Sequence, residues 1–147
     1  MADLQIVCPH CDATNRLPEG RDPKAGKCGR CHQALFEGRP VALTTERFRK
    51  HVANSSIPIV ADFWAAWCGP CRAIAPVFEK AAADLEPRAR FVKVDVDAEP
   101  ALSAQFNVKG IPALFLFKDG KIAQQQAGLS DPGLFKRWVD GAGTGAA

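Results

Sequence analysis

The chain has 147 residues, 47% of them apolar and 24% charged, with a net charge of +3 at pH 7. That length suits one domain of about 100 residues and a small appendage. No apolar run approaches the roughly 18 residues of a membrane span, and basic residues are mixed with acidic ones, so neither a membrane nor a nucleic acid is expected as partner. Met1 to Gln5 lack the basic-then-apolar pattern of a secretory signal, which predicts a cytoplasmic protein. In that reducing setting the six cysteines point to metal or redox chemistry more than to structural disulfides.

Residues 1–38 hold Cys8, Cys11, Cys28 and Cys31 and are rich in Gly, Pro and charge. Such a segment is too poor in apolar residues to build its own core, so a covalent or coordinated link must hold it. Cys8-Pro9-His10-Cys11 and Cys28-Gly29-Arg30-Cys31 are two CxxC knuckles sixteen residues apart. Paired knuckles bring four thiolates into a tetrahedron, the donor set of a closed, structural zinc ribbon with one Zn²⁺ per chain. Lys24, Lys27 and Arg30 are available to offset the negative charge of that centre, and His10 and His32 are expected to be bystanders. Two disulfides, in an exported protein, or an iron site are the other outcomes open to the same residues.

Gly38-Arg39-Pro40 reads as a connector, and residues 41–140 as strands alternating with helices. A short strand at 41–43 precedes a helix over 46–53, capped by Thr44 or Thr45. The apolar run 57–64 is a buried strand, followed by a helix over 70–86 with Pro76 as an expected kink. An alternating strand at 90–96 and a helix near 99–106 follow. A strand at 113–117 meets another at 121–127 through an Asp119-Gly120 turn. Asp131-Pro132 is expected to start the last helix, with proline at its first position. The order is that of an α/β fold, a mixed sheet flanked by helices. Residues 141–147 read as a flexible tail.

Trp67-Cys68-Gly69-Pro70-Cys71 falls where the 57–64 strand ends and a helix begins. Two cysteines at this spacing can open to a dithiol or close to a disulfide, carrying two electrons. The free N–H groups and dipole of a helix start favour thiolate over thiol there. The segment is therefore a candidate for thiol–disulfide exchange.

Asp62-Phe63-Trp64, this cysteine motif, Lys93 and Gly110-Ile111-Pro112 stand in the order and spacing of the thioredoxin family. Residues 41–140 resemble that family, and the four-cysteine extension resembles that of its zinc-containing thioredoxin 2 type. The resemblance implies a thioredoxin fold and a protein-disulfide reductase. Cys68 is then the attacking thiol, Cys71 the resolving one, and the redox-active disulfide Cys68–Cys71 the oxidised state. It implies that Asp62 accepts the Cys71 proton, with Lys93 beside it tempering the buried charge, and that Trp67, Gly69, Pro70, Ile111 and Pro112 meet the substrate. A cis Ile111–Pro112 peptide is implied, and Ala113 stands where many members carry threonine. Implied partners are an NADPH-linked thioredoxin reductase as electron donor and oxidised proteins as acceptors. Rival readings are a zinc-dependent client-binding or holdase protein, a redox sensor, and a disulfide oxidant or isomerase.

Overall fold

The structure is a computed structural model and describes residues 3–129 and 131–142. Two strands, β1 (Leu4–Val7) and β2 (Thr14–Leu17), pair antiparallel to begin the N-terminal ribbon. A five-stranded sheet follows: β3 (Val41–Ala42), β4 (Ile59–Trp64), β5 (Arg90–Asp95), β6 (Ala113–Lys118) and β7 (Lys121–Ala127), in spatial order β3-β5-β4-β6-β7. The β4–β5 pair is parallel, because α2 (Gly69–Leu85) crosses between them, whereas β6 pairs antiparallel with both β4 and β7. The sheet is thus mixed. The remaining helices are α1 (Thr45–Asn54), α3 (Pro100–Gln105) and α4 (Leu134–Gly141).

Strand alternation assigns each side chain to one of two layers. Val60, Phe91, Leu114 and Leu116 pack with Ile74 and Phe78 of α2 and Phe135 and Trp138 of α4. Ile59, Ala61, Phe63, Val92, Val94 and Phe115 pack on the other face with Phe48 of α1 and Leu102 of α3. Parity places Asp62, Trp64 and Lys93 on the α2 face. Perpendicular aromatic contacts, such as Phe78–Phe91 at 5.3 Å and Phe48–Phe117 at 5.3 Å, tie helices to sheet on both sides.

Several boundaries differ from the sequence reading, each for a local reason. The strand expected from residue 57 starts at Ile59. Ile57 instead packs into the ribbon's apolar cluster with Ile6, Leu35 and Phe36. The final helix starts at Leu134, not at Pro132, because Asp131 holds a turn ahead of it: its carboxylate accepts the Gly133 N–H at 2.8 Å and its carbonyl the Leu134 N–H. Gly141 closes that helix and Ala142 packs on the core, so the expected tail loses its first two residues to the fold. The rest of the tail lies outside the described residues. Helical structure continues through Pro76 to Leu85. Among the described residues two cis peptides occur, Ile111–Pro112 and Glu86–Pro87, the second unforeseen from sequence.

Candidate redox site and metal centre

Cys68 and Cys71 form a disulfide at the start of α2. Cys68 is the N-cap of that helix, and its sulfur accepts the Cys71 N–H at 3.1 Å. Cys71 lies in the first turn, after Gly69 and Pro70, where proline forfeits only an N–H that has no partner within the helix. A thiolate on Cys68 is stabilised here by a backbone N–H and by the helix dipole. Both cysteines are recessed, with residue exposures of 4% and 2%. Ala65, Cys68 and Cys71 form a small cluster lined by Trp64, Val96 and Ile111.

The wall opposite the pair comes from the loop before β6. Its Ile111 carbonyl oxygen lies 3.8 Å from Cys68 Sγ. Pro112 follows across the cis bond. Trp67 is 68% exposed, and its indole Nε1 donates to Asp97 at 2.8 Å. Asp97 is fixed in turn, its N–H donating to Asp95. Sequence reading missed this anchor, since an aspartate in a turn after a strand has many uses. A shallow groove lined by Trp67, Val96, Pro100, Val108 and Ile111 runs beside the cysteines.

Asp62 sits in the middle of β4, paired in register with Lys93 on β5 and Leu114 on β6. The residue is fully buried and neither carboxylate oxygen has a hydrogen-bond partner. Burial pushes its pKa up to about 6, and the positive charge of Lys93 pulls the other way. Lys93 Nζ does not hydrogen-bond Asp62: it lies 4.4 Å from the Trp64 ring centroid, in a cation–π contact. Its effect on Asp62 therefore acts through the field.

At the other end of the chain, the Sγ atoms of Cys8, Cys11, Cys28 and Cys31 all lie within 4.8 Å of one another. Cys8–Cys31 are 3.6 Å apart and Cys11–Cys28 3.5 Å. Tetrahedral zinc with Zn–S near 2.3 Å requires S···S edges of about 3.8 Å, so the donor set fits that ion. The two knuckles repeat each other's geometry. The N–H of His10 points at Cys8 Sγ (3.3 Å), and that of Arg30 at Cys28 Sγ (3.4 Å). Asp12 and His32 then close each knuckle with φ of 65° and 66°, their N–H groups returning to Cys8 and Cys28 carbonyls. His10 pairs with Glu37 at 3.0 Å and stays outside the thiol cluster.

The ribbon docks at the foot of the sheet. Arg90, buried at 2% exposure, donates through Nη2 to the carbonyls of Leu35 (2.7 Å) and Val7 (3.2 Å). Its Nη1 meets Glu86 at 3.4 Å, and Phe36 stacks 4.5 Å beneath it. Arg47 of α1 donates to Asp12 and to the Pro9 carbonyl at 2.8 Å, and buried His51 meets Asp12 at 3.0 Å. None of these residues stood out in the sequence, where Arg90 is one end of an alternating strand and His51 lies in an ordinary helix.

The family described as Thioredoxin matches residues 39–140, and the one described as Thioredoxin 2, N-terminal, matches residues 7–33. Thioredoxin C-3 of Corynebacterium nephridii is 41% identical over 136 residues, covering 92% of each chain. Thioredoxin C-2 of the same organism is 38% identical over 100 residues, covering 68% of this chain and 93% of that one. A solved structure, a mutant thioredoxin from Halobacterium salinarum, is 30% identical with a TM-score of 0.66, covering 73% of this chain and 93% of that one.

Proposed function

The chain belongs to the thioredoxin family, and from that membership we propose that it is a protein-disulfide reductase working through Cys68 and Cys71. Family membership makes it a thiol–disulfide oxidoreductase; the observation that carries the residue assignment is the disulfide capping α2. In the reduced protein, the Cys68 thiolate attacks one sulfur of a substrate disulfide, forming a mixed disulfide and releasing one substrate thiolate. Cys71 then attacks Cys68 Sγ, closing Cys68–Cys71 and releasing the second thiolate. Two electrons pass to the substrate.

Cys71 is the harder thiol to ionise, since burial penalises its thiolate. We assign that proton to Asp62 as a carboxylate, a reading supported by its buried position on β4 without a hydrogen bond. An extended substrate segment lies along Ile111, with an apolar side chain in the groove beside Trp67. The protein's electron donor is an NADPH-linked thioredoxin reductase, and its acceptors are oxidised proteins. No helix among the described residues is long and apolar enough to cross a membrane, which suits such diffusing partners.

In the ribbon, Cys8, Cys11, Cys28 and Cys31 hold one Zn²⁺. Four thiolates leave the ion no open position, so it cross-links the knuckles and supplies no reaction chemistry. The 1–38 and 41–140 segments are then a zinc ribbon and a thioredoxin domain.

The test is a pair of variants assayed on insulin disulfide reduction with dithiothreitol. Cys68→Ser should remove activity. Cys71→Ser, reduced, freed of dithiothreitol and mixed with insulin, should accumulate a covalent mixed disulfide, visible by nonreducing electrophoresis. Turnover retained by Cys68→Ser, or no mixed disulfide formed by Cys71→Ser, would falsify the assignment.

A further inference from the structure

The metal-binding knuckles are not supported alike. The second, Cys28 to Cys31, is braced from within the ribbon: Asn15 accepts the Gly29 N–H at 2.9 Å and donates to Cys28 Sγ at 3.5 Å. Cations of the 39–140 segment brace the first, Cys8 to Cys11. Arg90 binds the carbonyl of Val7, the residue before Cys8, and Arg47 binds that of Pro9, the residue after it. Arg47 also donates to both oxygens of Asp12, the left-handed residue that closes the knuckle, at 3.1 and 2.8 Å. Arg90 reaches across to Leu35, beyond the second knuckle.

We propose that Arg90 and Arg47 act as positioning residues for the metal centre, gripping its first knuckle from behind and setting how long the ion is held. A tetrathiolate zinc centre carries net negative charge, and a buried cation behind it offsets that charge. Arg90 suits the task because it cannot lose its proton, and its planar fork serves two carbonyls and one carboxylate at once. Lys24, Lys27 and Arg30, the cations that the sequence offers for charge offset, make no ion pair among the described residues, whereas the two arginines come from the catalytic domain. Loosening the residues that orient metal ligands commonly costs 10- to 100-fold in affinity.

This rests on Zn²⁺ occupying the four-cysteine site, so zinc content of the native chain is measured first; a chain purified without zinc sinks that reading and leaves the bracing untouched as geometry. The experiment then follows zinc transfer from the full chain to a chromophoric chelator, and melting of loaded and stripped protein. The double variant Glu86→Gln/Arg90→Met avoids leaving a buried carboxylate unpaired. Its zinc should leave about 10- to 100-fold faster, and its gap in Tm between loaded and stripped forms should narrow. Arg90→Lys, which keeps the charge but reaches fewer carbonyls, should recover part of the loss. Arg88→Met, which breaks a surface pair with Asp140, should release zinc as the native chain does. Should the double variant fail to fold, Arg47→Met serves, its side chain being 31% exposed, with release several-fold faster expected. Native release from a folded variant, or an equal loss of stability in loaded and stripped forms, overturns the proposal.

Discussion

At the scale of the residue, Asp62 links stability to turnover. Its carboxyl titrates near 6 in the fold against 3.8 in a model peptide, because burial disfavours the charge more than Lys93 favours it. A raised carboxyl pKa means that the folded state is penalised once the group ionises. That penalty is absent below about pH 4, grows as the pH rises through 6, and levels off at about 3 kcal/mol. Asp62→Ala should therefore gain stability relative to the native oxidised protein between pH 4 and pH 7, read as a growing offset in urea midpoint. An offset that stays constant across those pH values would show that Asp62 is not charged when buried. Turnover should move the opposite way: with carboxylate required, reduction rises through pH 6, and Asp62→Asn loses that limb along with about 10²-fold in rate. Lys93→Met should carry the limb to higher pH, since the one favourable charge acting on Asp62 is then gone. A pH profile that Lys93→Met leaves in place would confine Lys93 to packing against Trp64.

At the scale of the element, caps and connectors decide where each piece begins. Thr44 accepts the Arg47 N–H at 3.4 Å to open α1, and Thr45 just inside is held by Glu99, which accepts both its N–H and its hydroxyl. Thr44→Ala should cost about 1 kcal/mol in denaturant unfolding; no loss would mean that Glu99 alone fixes the helix start. The connector has its own requirement at Gly38, where φ is +70° and the N–H donates to Glu86 at 3.0 Å. A Cβ there would have room, with its nearest atom the Ala83 Cα at 3.6 Å. Gly38→Ala should thus cost about 1–2 kcal/mol through backbone conformation alone, and a larger loss would point to displacement of the ribbon. The same elements show why boundaries were only partly legible. Periodicity made Ile57 look continuous with β4, because an apolar residue reads alike whether it packs under a sheet or under a ribbon.

At the scale of the whole molecule, the two cysteine sites lie at opposite ends of β4. Ile59 pairs with Arg90 beside the ribbon, and Trp64 leads into the redox loop. At about 3.3 Å per residue those ends stand some 17 Å apart, too far for sulfur exchange between ribbon and redox pair within one molecule. Stripping the metal should therefore leave insulin reduction at 25 °C within about twofold while lowering Tm, because what binds only the folded state stabilises it. A loss of activity parallel to metal loss, with the fold intact, would show that the ribbon reaches the catalytic end.

Most of the chemistry was written in the chain. Knuckle spacing, the Cys68-Gly69-Pro70-Cys71 motif and the strand before it depend on short-range geometry, and short-range geometry is what residue order encodes. The strands themselves were legible for the same reason, but which face of the continuous apolar runs 59–64 and 113–118 meets which helix was decided only by the packing. What only the tertiary structure decided is how distant groups meet. Arg90 lies 83 positions from Val7 and 55 from Leu35, and nothing local marks it as the cation that joins them. Strand register sets Lys93 opposite Asp62, yet its ammonium turns to Trp64, because a lysine's flexible stem lets the best available partner choose. Burial is the common cause: the chain fixes which groups are charged, and folding alone fixes which of them lose water and must find one another.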